Sequence, residues 1–114
     1  MSGMDNYPRT YSPYTREALQ LLGEQIRLGR RERRWTQAEL ADRAGVSVRT
    51  LNRVEHGDPR VTLGTAFELA TLTGVPLFQP DRERLAMDLD RTRGRSAVLP
   101  ARIRRPSEEV DDDF

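Results

Sequence analysis

Apolar positions in the first two thirds of the chain recur at three- and four-residue steps, and glycines and capping residues interrupt them at short intervals. Leu19, Leu22 and Ile26 predict an amphipathic helix from Thr15 to about Arg34. Its last turn (Arg30, Arg31, Arg33, Arg34) is basic, as the helix dipole favours, and Gly29 is a weak point within it. Thr36 followed three residues later by Glu39 makes a capping box, in which each side chain satisfies an exposed amide at a helix start. A second, short helix therefore runs from Thr36 through Leu40 and Ala41 to about Ala44, where Gly45 supplies the left-handed conformation that ends it. Ser47 offers an N-cap only two residues on, so the connection is very tight. The third helix runs to about His56 and stops at Gly57, with Asp58 and Pro59 behind it. A fourth begins at Thr62 and carries Leu63, Ala66, Phe67, Ala70 and Leu72 on one face before Gly74 and Pro76.

Outside this region the periodicity fades. Tyr7, Pro8, Tyr11, Pro13 and Tyr14 break any helix near the start, so residues 1–14 read as a flexible arm. Residues 79–93 offer one further helix with Pro80 in its first turn and a thin stripe at Leu85 and Leu89, either a lid on the core or half of a dimer seam. After Gly94, the stretch SAVLPARIRRP is interrupted by Pro100 and allows at most an edge strand. The chain thus divides into an arm (1–14), a helical domain (15–78), an additional helix (79–93) and an extended tail (94–114), basic and then acidic. The predicted fold class is all-α, a compact domain of four to five helices.

Composition narrows the function. The chain of 114 residues is near the usual size of one domain. The absence of cysteine excludes a disulfide framework, a thiolate metal site and a cysteine nucleophile, and fits a reducing compartment such as the bacterial cytoplasm. The sequence shows neither a signal peptide nor a membrane span. Residues 106–114, PSEEVDDDF, hold five acids and no base, so the preceding residues carry a net +6 against the chain's +1. A basic body suits a polyanionic partner, while an acidic terminal block reads as a segment mobile when alone and available for interaction. All 19 basic residues are arginine, which suits bidentate contacts to phosphate and guanine, although a GC-rich genome accounts for the bias as well.

Advancing about 100° per residue from Leu51, the third helix places Ser47, Val54 and Glu55 within about 60° of it. Asn52, Arg49, His56 and Arg53 fall between about 100° and 200° away. One face packs and the other displays long polar side chains. A helix displayed in this way, entered by a tight turn from a second short helix, has the geometry of a helix-turn-helix reader sized for a DNA major groove.

The motifs LGEQIR, TQAELADRAGVS, TLNRVEHG and VTLGTAFELATLTGV, between residues 22 and 75, resemble those of the Xre and phage-repressor (Cro-like) helix-turn-helix regulators. The resemblance implies that Ala41, Gly45, Val46, Leu51 and Val54 hold the two helices together. It places Thr36, Gln37, Ser47 and Thr50 against DNA phosphates, Ser47 and Thr50 having local capping uses as well. It sends Val48, Arg49, Asn52 and Arg53 towards bases, Val48 to a thymine methyl and an arginine bidentately to guanine. Glu55, on the packing side, needs a partner; the family's helix-one arginine corresponds to Arg30, so an Arg30–Glu55 structural ion pair is expected. Arg31, Arg33 and Arg34 read as a solvated basic face or as phosphate contacts, and Trp35 as a plug in the core.

Catalysis finds little footing, since His56 is the only histidine, no serine has an activating partner, and phosphate-binding glycine motifs are absent. Asp88 and Asp90 on one helix point in different directions, which argues against a metal pair, and no cofactor is expected. The segments LPARIRRP and EEVDDDF resemble, in size and layout, the antitoxins and autorepressors paired with HipA-type kinase toxins. That resemblance implies a toxin-binding tail at Val110, Asp111, Asp112, Asp113 and Phe114, with the aromatic as docking anchor. The alternative is a stand-alone repressor whose acidic tail only aids solubility or shields the basic body. Because one short recognition helix reads few base pairs, either reading implies a homodimer on palindromic double-stranded DNA, with residues 77–105 as the expected seam.

Overall fold

The computed structural model describes residues 10–102. Five helices follow in order: α1 Pro13–Glu32, α2 Gln37–Ala44, α3 Val48–Glu55, α4 Leu63–Leu72 and α5 Arg82–Ala97. The chain divides into two compact units, one ending at Leu77 and the other beginning at Phe78. The expected all-α architecture of four to five helices is what forms.

The first unit holds the core. Ile26 from α1, Leu40 and Ala41 from α2, Leu51 and Val54 from α3, and Ala66, Leu69 and Ala70 from α4 are buried together. Leu22, Trp35, Ala44, Val46, Val61, Leu72, Val75 and Leu77 are partly buried around them. At about 2–5 kcal/mol per large side chain truncated, four fully buried ones (Ile26, Leu40, Leu51, Leu69) provide most of what holds so small a domain together.

Several boundaries depart from the sequence reading. Helix α1 starts at Pro13 rather than Thr15, with Ser12 as N-cap accepting from the Thr15 amide at 3.2 Å. Proline is well suited to the first helical position, where its missing N–H would have no partner, so Pro13 starts the helix it was expected to break. At the other end α1 stops at Glu32, and Arg34 takes a left-handed φ of 60° in the turn to α2. In α4 the packed face is Ala66, Leu69 and Ala70, whereas Leu63, expected on that face, is exposed. Leu69 and Ala70 follow Ala66 at three and four residues, and Thr73 continues that face, buried with its hydroxyl donating to the Leu69 carbonyl at 2.7 Å.

Gly29 is a point of close approach. A β-carbon there would collide with the backbone carbonyl of Thr73 at the end of α4. Gly23 has the same use one and a half turns earlier, where a β-carbon would stand 2.5 Å from the Val54 carbonyl oxygen and 2.7 Å from that of Glu55. These two positions allow α1 to lie against both the end of α3 and the end of α4.

In the second unit α5 is capped by Asp81, whose carboxylate accepts from the Glu83 amide at 3.2 Å, so Pro80 precedes the cap instead of sitting in the first turn. The helix continues through Gly94 to Ala97, three residues short of Pro100, and Ser96 and Ala97 are helical where at most an edge strand was expected. Gly94 costs about 1 kcal/mol in a helix interior but removes no hydrogen bond, so the ladder passes through it. No residue of α5 is buried. The acidic segment and Val110–Phe114 lie outside the described residues, as do residues 1–9 of the arm.

Candidate nucleic-acid interface

The turn between α2 and α3 is built from local chemistry. Thr36 accepts from the Glu39 amide at 3.1 Å while its own amide donates to the Glu39 carboxylate at 2.8 Å, closing the capping box. Gly45 adopts φ +71°, and the Val46 amide donates back to the Ala41 carbonyl at 3.0 Å. Ser47 then caps α3 by accepting from the Thr50 amide at 3.0 Å, and its hydroxyl donates to Thr50 Oγ1 at 3.1 Å. Three residues therefore separate the two helices.

Leu51, Val54 and Glu55 face inward from α3. Val48, Arg49, Asn52 and Arg53 are all exposed on the other side. Among the described residues, neither the Arg49 nor the Arg53 guanidinium is engaged in a hydrogen bond or ion pair. The reading helix thus presents two exposed guanidinium groups, one amide and one apolar tip along about two turns.

What fixes this face is a polar network across three helices. Arg30 of α1 and Glu55 of α3, 8% and 2% exposed, form a bidentate pair, with Nε donating to Oε2 at 2.7 Å and Nη2 to Oε1 at 3.2 Å. Arg30 Nη1 also donates to the Trp35 carbonyl at 3.0 Å. Gln37, at the start of α2, donates its side-chain amide to Glu55 Oε1 at 3.1 Å and to Asn52 Oδ1 at 3.3 Å. A bidentate geometry with further bonds to the Trp35 carbonyl and the Gln37 amide is what allows a charged pair to be buried, because both carboxylate oxygens and all three guanidinium nitrogens are engaged.

The structure therefore brings Arg30, Gln37, Asn52 and Glu55 together, and leaves Val48, Arg49 and Arg53 displayed beside them. Thr36, Ser47 and Thr50 are engaged in caps at the ends of α2 and α3. The link from Gln37 to Asn52 had no signal in local spacing, because the partners are fifteen residues apart. Arg33 lies away from the reading face in function: its Nη1 donates to the Thr73 carbonyl at 2.9 Å and to the Gly29 carbonyl at 3.2 Å, tying together two helix ends. Trp35 is partly buried against the core, and the Arg43 guanidinium lies 4.3 Å from its ring centroid, a stacking distance for a cation on an aromatic face.

The turn after α3 carries a second ordered arginine. Asp58 accepts from the Arg60 amide at 2.9 Å and from its Nε and Nη2 at 3.0 Å each. These bonds, led by those of the Arg60 side chain, hold the Asp58 carboxyl below its ordinary range. The folded state thus takes up this proton less readily than the unfolded chain, so the contribution of the pair is complete above the ordinary carboxylate range and is lost as pH falls through the lowered value. Amide and carboxyl NMR signals of Asp58 are expected to titrate below those of an unstructured aspartate; a carboxyl titrating at the ordinary value would contradict an ordered turn.

Residues 26–79 match the Helix-turn-helix family (HTH_3), a span that holds the last turns of α1 and all of α2, α3 and α4. The matched stretch has the Xre-like helix-turn-helix fold, and the match supports a DNA-binding transcriptional regulator as the class of protein. Comparison with curated proteins and with solved structures gives no match. Among the described residues, no helix is long and apolar enough to cross a membrane.

Proposed function

We propose that the chain is a sequence-specific repressor that binds a palindromic double-stranded operator as a homodimer, reading bases with Val48, Arg49, Asn52 and Arg53. The observation that supports this most is the pairing of exposed arginines on α3 with a buried network that immobilises the same helix. Thr36, Gln37, Ser47 and Thr50 flank that face at the starts of α2 and α3, where unpaired amides and the positive helix end favour phosphate. Two copies, with reading helices about 34 Å apart, would address successive major grooves on one side of the duplex.

In this role Arg49→Ala or Arg53→Ala is expected to weaken operator binding by about 1–3 kcal/mol and to relax preference at one base position, whereas Gln37→Ala lowers affinity for all duplexes similarly. Titrations of operator variants by fluorescence anisotropy measure both. Unchanged preference in both arginine variants would remove α3 from the role of reader. Binding is also expected to fall steeply with salt, since each phosphate contact releases counterions.

The finer role we propose is that of an antitoxin and autorepressor in an operon with a HipA-like kinase toxin, with Val110–Phe114 as the toxin-binding segment. It rests on the resemblance of LPARIRRP and EEVDDDF to that group and on the charge reversal between body and tail. Affinity capture from host lysate with the full chain, and with a variant carrying Asp111, Asp112 and Asp113 as asparagine and Phe114→Ala, tests it. Retention of a kinase-like protein by the first and its loss by the second, with operator binding equal, is the expected result. Recovery of the same proteins by both would leave a stand-alone repressor.

A further inference from the structure

Helix α1 carries more apolar surface than its own core uses. Tyr14 is 80% exposed, and Leu21 and Leu28 are each 58% exposed, although all three sit in a 20-residue helix of which another face is buried. Tyr14, Ala18, Leu21, Gln25, Leu28 and Glu32 follow one another at steps of four, three, four, three and four residues. At about 100° per residue they lie within about 40° of a single line along the helix, whereas Leu22, Ile26, Gly29 and Arg30 are turned about 60–160° away, towards the core. Alternating steps of four and three are the spacing of a coiled-coil seam, here with its large apolar residues at every second position. All six residues are exposed. On α5, the seam expected from the sequence, one face offers only Leu85 and Leu89 over sixteen residues.

We infer that this face of α1 is the seam between two copies of the chain, packed antiparallel; the inference rests on the proposed dimeric reader and names where the dimer closes. Charge selects both the partner and the orientation. Beside the stripe run Glu17 in the first half of α1, Glu24 near its middle and Arg31 in its last turn. In an antiparallel pair Glu17 of each copy meets Arg31 of the other, and Glu32 falls beside Tyr14. A parallel pair would instead stack Glu32 on Glu32 within the seam and set like helix dipoles side by side. The cost of the antiparallel choice is Glu24 near its own counterpart, where Arg27, 4.0 Å from Glu24 in the same helix, supplies a compensating charge. Gln25 in the middle of the stripe is the kind of polar residue that fixes register at some cost in strength.

A helix of twenty residues is about 30 Å long, and a seam of one helix per partner falls at the small end of specific interfaces. The dimer is therefore weak in free solution and completes itself on the operator, which couples occupancy of the two half-sites.

Sedimentation velocity on the full chain over a wide concentration range is expected to show a reversible monomer–dimer equilibrium. Leu21→Asp combined with Leu28→Asp should raise the dissociation constant at least thirtyfold while leaving the circular dichroism spectrum unchanged. Because the natural chain has no cysteine, engineered ones report orientation directly. The pair Ala18→Cys with Leu28→Cys should give a disulfide-linked dimer on mild oxidation, and Gln25→Cys alone should not. Crosslinking through Gln25→Cys but not through the pair, a dimer indifferent to the aspartate substitutions, or a chain that stays monomeric would each overturn the proposal. The DNA reading is scored separately: the aspartate variant should keep its base preference on a single half-site and lose only the coupling between two. Loss of base preference in the Arg49 and Arg53 variants with the dimer intact supports both ideas, whereas unchanged preference with the dimer intact removes the reader and leaves the seam standing.

Discussion

Replacing Glu55 with alanine is expected to destabilise the full chain by about 3–5 kcal/mol. The reason lies in what would be left behind. Arg30, buried between α1 and α3, would lose both oxygens of its bidentate partner, and Gln37 would lose the acceptor that holds its amide towards Asn52. A domain of this size loses about 4–8 °C in Tm for each kcal/mol, so thermal unfolding followed by circular dichroism should show a drop of more than about 10 °C. The paired change Arg30→Met with Glu55→Leu removes both charges together and is expected to recover most of that loss, since a buried ion pair gives little net stability over well-packed apolar groups. A Glu55→Ala variant within about 1 kcal/mol of the parent would mean that the pair is hydrated and does not anchor the reading helix.

The second large effect is at Gly29, and its sign is informative. Helix propensity alone makes Gly29→Ala stabilising by about 1 kcal/mol. The structure gives the opposite expectation, because the new methyl group would run into the Thr73 carbonyl, a backbone atom that moves only if α4 moves. Overpacking against main chain costs at the upper end of about 1–3 kcal/mol, and we expect a net destabilisation of about 3 kcal/mol in chemical denaturation, with an unchanged m-value if the fold is retained. A stabilised variant would show that α1 and α4 are further apart than described.

The parts of the fold that could be read from the chain are those fixed within a few residues. The capping box of Thr36 and Glu39, the glycine at 45 and the serine at 47 act over spans of three residues or fewer, and they place the α2–α3 turn without reference to the rest of the molecule. What could not be read depends on distant partners. Pro13 signals a break or a start equally until Ser12 is seen to cap it. Leu63 and Leu69 are alike as apolar residues of one short helix, and only the position of α4 against the core decides that Leu69 is buried. Gly29 resembles a helix defect until the carbonyl opposite it is known. Within the candidate site, Glu55 on the packing side announces the need for a partner, but spacing names neither Arg30 nor Gln37, which lie twenty-five and eighteen residues away. Arg33 looked like one of several surface cations and proves to join two helix ends. Arg49 and Arg53 are displayed on the same helix face that the hydrophobic pattern of α3 indicates, because an eight-residue helix with one buried stripe leaves its long side chains only one place to go.

The central claim, that α3 reads base sequence, is tested most directly by selection from a pool of randomised DNA duplexes, run in parallel with the parent chain and with its Arg49→Ala and Arg53→Ala variants. The parent is expected to enrich a palindromic motif, and at least one variant to enrich the same motif with its preference lost at one position in each half-site. Failure of the parent to enrich any motif, or recovery of an unaltered motif by both variants, would contradict the claim.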